Sequence, residues 1–329
     1  MKKLFITLIK LGLVGGILYY LIASDRLNPE RMKLFWEKPL IPCLIFLGTV
    51  LFMIPLASYR WFLLLKAVGL KVDYTRAFLL TWIGMFFNVS LPGAVSGDVV
   101  KGYYIIKAQQ NEGKAKAFTT LLIDRFVGLF GLIVMAFLAL LFNWQLIAHN
   151  AALHSMVVMI VILFIGTLLF YAIVLFPFRN KDPFLLLFSK LPASHLTTKV
   201  YSAFKLYEHR KWTLLSTLLM SILIHSIIAM FFFQMASLLE VQNLKLATQL
   251  FIMPIGLITV AIPIAPGGVG VGHAAFESLY HMVGISGGAD IFNLYVIIQL
   301  LVCLLGGIPY FTLNHENHVT AEDIAALQE

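Results

Sequence analysis

An all-α polytopic membrane protein is the fold class predicted here, with about six full transmembrane helices and two re-entrant helical hairpins in an inverted-repeat arrangement. Three observations predict it. The 329 residues are 60% hydrophobic and only 12% charged, with a mean hydropathy of +0.90, too little polar surface to cover a soluble globule. Apolar runs of about 20 residues recur along the chain, each long enough to cross a bilayer core. Two of these runs are interrupted by Pro and Gly, at Leu91-Pro92-Gly93-Ala94-Val95-Ser96-Gly97-Asp98 and at Ala265-Pro266-Gly267-Gly268-Val269-Gly270-Val271-Gly272. Non-helical backbone at membrane depth survives only inside protein or beside a water-filled cavity, and paired interruptions in two halves of a chain are expected where broken elements meet at a transport site.

In chain order, the first span is expected over 4–23, an uncleaved helix because no small-x-small cleavage site follows it. The segment 24–38 balances its charges and reads as an outer loop. A second span over 39–57 brings the chain to the cytoplasm, where Arg60, Lys66, Lys71 and Arg76 oppose Asp73 alone. Between Tyr59 and Phe78 these basic residues alternate with apolar ones, the composition of a helix lying in the headgroup plane. Basic residues stand on both sides of the first Pro-Gly bend, so the stretch 78–107 is read as a hairpin that enters and leaves on the cytoplasmic side. Spans over 117–142 and 156–176 follow. The loop 178–211 then carries seven basic residues against two acidic ones, a net of +5 and the strongest inside signal in the chain. A span over 212–238 crosses outward, a second hairpin over 246–283 enters from the outside, and a span over 291–311 delivers the tail 312–329 to the cytoplasm.

The chain is thus one transmembrane domain in the cytoplasmic (inner) membrane with both termini cytoplasmic. Its first half covers about 35–143 and its second about 152–311. The net charge of +8 fits basic loops facing anionic headgroups, and no nucleic-acid motif accompanies it. Cys43 and Cys303 lie in apolar runs without metal-ligand spacing and read as small buried residues. No cofactor is expected.

The ionisable residues within apolar sequence are the candidate site. Arg125 lies about eight residues into a span, roughly 12 Å along it, and a guanidinium suits bidentate pairing with phosphate. The alternative is a carboxylate partner that locks the bundle. Asp124, about 100° around the same helix, is expected to meet Lys101 or another cation. Asp98 and Lys101 share one helix face after the first bend; Asp98 either caps the helix or carries a proton or cationic headgroup, while Lys101 attracts phosphate. His273, Glu277 and His281 form a polar stripe at four-residue spacing. It lacks the His-Glu-x-x-His pattern of a zinc site, so no metal is assigned.

The run from Asn88 to Gly93, Gly97-Asp98-Val99-Val100-Lys101, the Asp124-Arg125 pair and Pro263 to Gly272 resemble the flippase-like membrane domain shared with lysylphosphatidylglycerol synthases and many small standalone proteins. The resemblance covers about 35–311. It implies a domain that moves aminoacylated or other lipids between leaflets, and it implies that the synthase activity of larger relatives resides in a soluble acyltransferase-type domain that this sequence lacks. One departure is that His273 stands where the family commonly has an acidic residue, with Glu277 one turn later.

The expected function is a lipid flippase or transporter for an anionic, aminoacylated or polyprenyl-phosphate-linked lipid. Its rivals are a membrane-embedded lipid-modifying transferase, and a non-transporting scaffold whose basic loop docks an envelope-biosynthesis enzyme.

Overall fold

The computed structural model describes residues 33–90, 96–108, 114–148, 150–178, 182–190, 194–261 and 268–312, together with Tyr19, Ala23 and Glu30. The expected first span apart from Tyr19 and Ala23, the tail beyond Thr312, and Pro92, Gly93, Pro266 and Gly267 of the two bends lie outside the described residues. Among the described residues there is no strand. The principal helices are α1 (Leu40–Ala67), α2 (Tyr74–Ser90), α3 (Ser96–Ala108), α4 (Lys114–Phe142), α5 (Ala151–Leu175), α6 (Pro183–Ser189), α7 (Ser194–Lys205), α8 (Lys211–Leu238), α9 (Leu246–Ala261), α10 (Val271–Met282) and α11 (Gly288–Leu305). Among the described residues, five stretches are long and apolar enough to cross a membrane: Leu40–Ala67, Ala115–Phe142, Leu153–Leu175, Lys211–Leu238 and Gly288–Thr312.

Local chemistry sets the helix ends. Helix α1 widens to a π turn at Thr49–Met53 just before Pro55, whose missing N–H leaves a carbonyl one turn earlier without its usual partner. It stops at Gly69, which takes a φ of +81° so that its N–H and that of Leu70 reach back to the carbonyls of Lys66 and Leu65. Asp73 opens α2 by accepting the N–H of Arg76 at 3.0 Å. Asp182 caps α6, where Pro183 occupies the first turn and the N–H groups of Phe184 and Leu185 point at the carboxylate.

Two expectations are corrected here. The stretch 59–78 does not form a helix of its own. Nothing between Leu56 and Val68 breaks a helix, so α1 continues through Arg60 as one rod and the chain turns only at Gly69. The span expected to end at Ala57 is therefore ten residues longer. Cys43 is exposed rather than buried, whereas Cys303 is buried.

The segment expected as the loop 178–211 folds into α6 and α7. Tyr201, Phe204 and Tyr207 pack against α4 and α5, and the Tyr207 hydroxyl donates to the carbonyl of Leu64 at 3.1 Å. Lys205 ties this unit to the end of α5 by donating to the carbonyl of Phe176 at 2.6 Å.

Helix α4 is the central pillar, packing against α1, α3, α5, α7, α8 and α9. The packing of the first four helices recurs later in the chain. Helix α1 lies on α2 as α8 lies on α9, α2 pairs with α3 as α9 pairs with α10, and α3 lies on α4 as α10 lies on α11. The two sets also exchange an arm, since α9 packs on α4 and α2 packs on α11.

A largely enclosed ionic cluster joins α1, α4 and α8. Arg60 donates through Nε and Nη2 to both oxygens of Asp124, at 2.8 and 3.0 Å, and through Nη1 to the hydroxyl of Ser221 at 2.8 Å. Gly131 lets α8 approach α4 here, because a Cβ at that position would sit 2.6 Å from the Cβ of Ser221. One turn along α8, the Nε2 of His225 meets the carbonyl of Gly128 at 3.0 Å. Removing one member of a buried pair strands the other, so Arg60→Met is expected to lower stability by about 3 kcal/mol. Adding Asp124→Asn should recover part of that loss. Thermal unfolding of the purified variants in detergent measures both; strictly additive losses would mean that the two groups are not coupled.

Candidate functional site

The first hairpin is tied near its turn by polar contacts between its arms. The Ser96 hydroxyl donates to the carbonyl of Phe87 at 3.0 Å, and the Asn88 side-chain oxygen accepts the N–H of Gly97 at 2.9 Å. The Gly97 N–H at the start of α3 therefore goes to Asn88, and Asp98 is left to face another helix. The arms touch at Gly84 and Gly97, where a Cβ on Gly97 would stand 1.9 Å from the carbonyl oxygen of Gly84. The missing Cβ of Gly84 also leaves room for the stem of Lys101, whose Cδ lies 2.7 Å from where that atom would be.

This packing delivers Lys101 into an apolar neighbourhood. Its ammonium lies 4.1 Å from the ring centroid of Trp61 and 3.6 Å from Asp98 Oδ1, and the residue is only 7% exposed. The other carboxylate oxygen of Asp98 accepts from Nε of Arg125 on α4. Two cations thus meet at the Asp98 carboxylate. The Arg125 side chain stays 44% exposed. An exposed planar guanidinium beside a second, buried cation is a site that complements a phosphate group.

Asp124 has no part in this triad. It points to the other side of α4 and into the Arg60 cluster, as expected of adjacent helical residues. Arg60 is the ionisable residue that sequence reasoning misplaced, having read it as part of a cytoplasmic flank.

The second hairpin carries a neutral counterpart. Nδ1 of His273 accepts the N–H of Gly270 at 3.2 Å, which leaves Nε2 protonated and 3.2 Å from the side-chain oxygen of Asn293 on α11. Phe292 meets the imidazole edge to face, with centroids 4.9 Å apart. Gly268 and Gly270 have φ of +70° and +82°, conformations that favour glycine where the chain leaves this bend. Glu277 is buried and accepts the N–H of Ala289 at 3.0 Å, so its charge meets the N-terminus of α11. His281 is exposed, so the stripe His273, Glu277 and His281 spans three different environments. Asn293 was not anticipated from sequence, since a lone Asn in an apolar run has no periodic cue. Among the described residues no three metal-ligating side chains gather into a site.

The hairpins occupy matching places. Asp98 to Arg125 links α3 to α4, and His273 to Asn293 links α10 to α11. They also reach the pillar from opposite ends. Helix α3 runs antiparallel to the first half of α4, with Asp98 beside Arg125 and Gly102 beside Phe118 and Leu121. Helix α9 starts at the other end of α4, where the Asn143 side chain donates to the carbonyl of Ala247 at 2.7 Å, and runs back to place Ile258 and Thr259 near Ile133 and Ala136.

The geometry makes Glu277 a helix-terminal anchor. Glu277→Gln, which keeps an acceptor oxygen, is expected to unfold within about 0.5 kcal/mol of the native protein, and Glu277→Ala to lose about 1 kcal/mol or more. Both are read by thermal unfolding in detergent. Equal losses in the two variants would show that the charge, and not the acceptor oxygen alone, anchors α11.

Comparison with known proteins follows the same outline. The Lysylphosphatidylglycerol synthase TM region matches residues 7–307. The chain is also similar to the UPF0104 membrane protein PH1989 of Pyrococcus horikoshii, 28% identical over 173 residues that cover 51% of this chain and 50% of that protein. It thus aligns with about half the length of this curated relative. No solved structure matches. The match over 7–307, with five apolar helices of spanning length, establishes that this membrane protein belongs to the family of the lysylphosphatidylglycerol synthase transmembrane region.

Proposed function

We propose that the protein is a lipid flippase or transporter that carries an anionic lipid between the leaflets of the cytoplasmic membrane, with Arg125 and Lys101 engaging the headgroup phosphate. The observation that carries this reading is the triad Asp98, Lys101 and Arg125, which brings two cations to one place and keeps the Arg125 side chain 44% exposed. The pair Arg60 and Asp124 is closed by comparison, with side chains 11% and 15% exposed. Phosphate entering the site competes with Asp98 for Arg125, and the released carboxylate retains Lys101 as its counterion. Aminoacylated and polyprenyl-phosphate lipids share the recognised group.

In this reading the two hairpins are re-entrant elements of an inverted repeat, entering from opposite faces and meeting near the middle of α4. Their convergence on α4 from its two ends supports that, as does the recurrence of one packing pattern in both halves. The basic flanks orient the α6–α7 unit, and with it both termini, toward the cytoplasm and its anionic headgroups. Alternating access is then a movement of one helix set against the other about the shared α4.

Mass spectrometry of lipids retained by gently purified protein tests the assignment. Wild type is expected to enrich one anionic lipid over the bulk membrane profile. Arg125→Ala should lose that enrichment roughly tenfold, as for a charge-assisted contact worth about 1.4 kcal/mol, with an unfolding temperature near that of wild type. A bulk-like profile in both proteins would remove Arg125 from headgroup recognition.

A further inference from the structure

Helices α4, α5 and α9 do not close completely on one another. Between them lies a cavity of about 160 Å³ lined by Ile133 and Ala136 of α4, Ile160 and Leu163 of α5, and Ile258 and Thr259 of α9. The Thr259 hydroxyl donates its proton to the carbonyl of Ile255 at 3.1 Å, and the side chains around it are otherwise apolar, so the lining offers water little. Protein interiors pack closely, and an apolar void of this size stays dry and takes up hydrocarbon. Ile133, Ala136 and Ile160 form a buried floor, while Met159 at the edge is 43% exposed. Helix α5 is the least buried of the candidate spans, so this edge opens toward surrounding lipid. One residue along from Ala136 and Leu163, the rings of Phe137 and Phe164 stack at 3.7 Å and hold α5 against α4.

The register of α4 says what occupies the space. Arg125 and Ala136 are eleven residues apart, three turns plus about 20°, so they share one face roughly 16 Å apart along the axis. Leu129 and Leu132 continue the same stripe between them. A lipid whose phosphate sits at Arg125 has its hydrocarbon directed along this face toward the cavity.

We propose that the cavity between α4, α5 and α9 is an acyl-chain slot, seating one chain of the lipid whose phosphate Arg125 engages. It rests on the headgroup reading given above and adds a second, apolar determinant of substrate choice. Seated there, the chain lies against α9, the entry arm of the second hairpin, while the headgroup contacts α3, the exit arm of the first. A single lipid then touches both hairpins.

The test uses the full chain in nanodiscs of phosphatidylglycerol containing a trace of phosphatidylglycerol with a diazirine at the end of one acyl chain. After photolysis, adducts on the floor residues Ile133, Ala136 and Ile160 are compared with adducts on the lipid-facing residues Ile162, Ile165 and Leu168 of α5. The slot predicts at least a threefold excess on the floor in wild type, lost in Ala136→Phe and reduced several-fold in Arg125→Ala. No floor excess in the wild-type protein overturns the slot, and needs no variant to be read. In that case the headgroup reading still stands if Arg125→Ala strips the enriched lipid, and falls with the slot if it does not. A floor excess undiminished in Arg125→Ala overturns the proposal that one lipid joins the two places.

Discussion

A charge in a bundle of apolar helices is tolerated only with a partner, because its desolvation costs more than most contacts return. That constraint accounts for the placement of the ionisable groups in the helix interior. Arg60 is matched bidentately by Asp124, Lys101 leans on Asp98 and Trp61, and the Glu277 carboxylate meets a helix N-terminus. These pairings join α1 to α4, α3 to α1 and α10 to α11, so the same contacts that partner the charges hold the helices in register. The triad at Asp98 is the exception in access, since the Arg125 side chain stays 44% exposed beside the buried Lys101. An accessible guanidinium beside a second cation has a reason to receive an anion.

The two halves of the chain use one packing plan with different chemistry. In the first, a charged bond joins the hairpin to its neighbouring helix through Asp98 and Arg125. In the second, a neutral bond joins them through His273 and Asn293, backed by the rings of Phe276, Phe292 and Phe232. The neutral imidazole is held by an acceptor on one nitrogen and a donor on the other, which leaves little freedom at that joint.

Much of this was legible in the residues. Pro and Gly in apolar sequence marked both hairpins, whose helices lie at Tyr74–Ala108 and Leu246–Met282 against expected limits of 78–107 and 246–283. Helical spacing separated Asp124 from Arg125 and placed Asp98 with Lys101. Other features were hidden for physical reasons. Arg60 looked like a surface residue because charge counting ended the span at Ala57, although no helix breaker stands between Leu56 and Val68. Its partner Asp124 lies 64 residues away, beyond any local pattern. The helices α6 and α7 were obscured by the basic residues of 178–211, where Tyr201, Phe204 and Tyr207 supplied the buried face. The cavity had no sequence signal, since it arises from how three apolar surfaces fail to interlock.

The central claim is that the Asp98, Lys101 and Arg125 site moves an anionic lipid headgroup. Its most direct measurement is translocation of fluorescent phosphatidylglycerol in proteoliposomes, read by quenching from the outside, for wild type, Arg125→Ala and Arg60→Lys at matched folded protein. The account predicts movement well above protein-free vesicles in wild type, loss of that excess in Arg125→Ala, and its retention in Arg60→Lys, where the buried cation is kept. Equal movement by wild type and Arg125→Ala would contradict it.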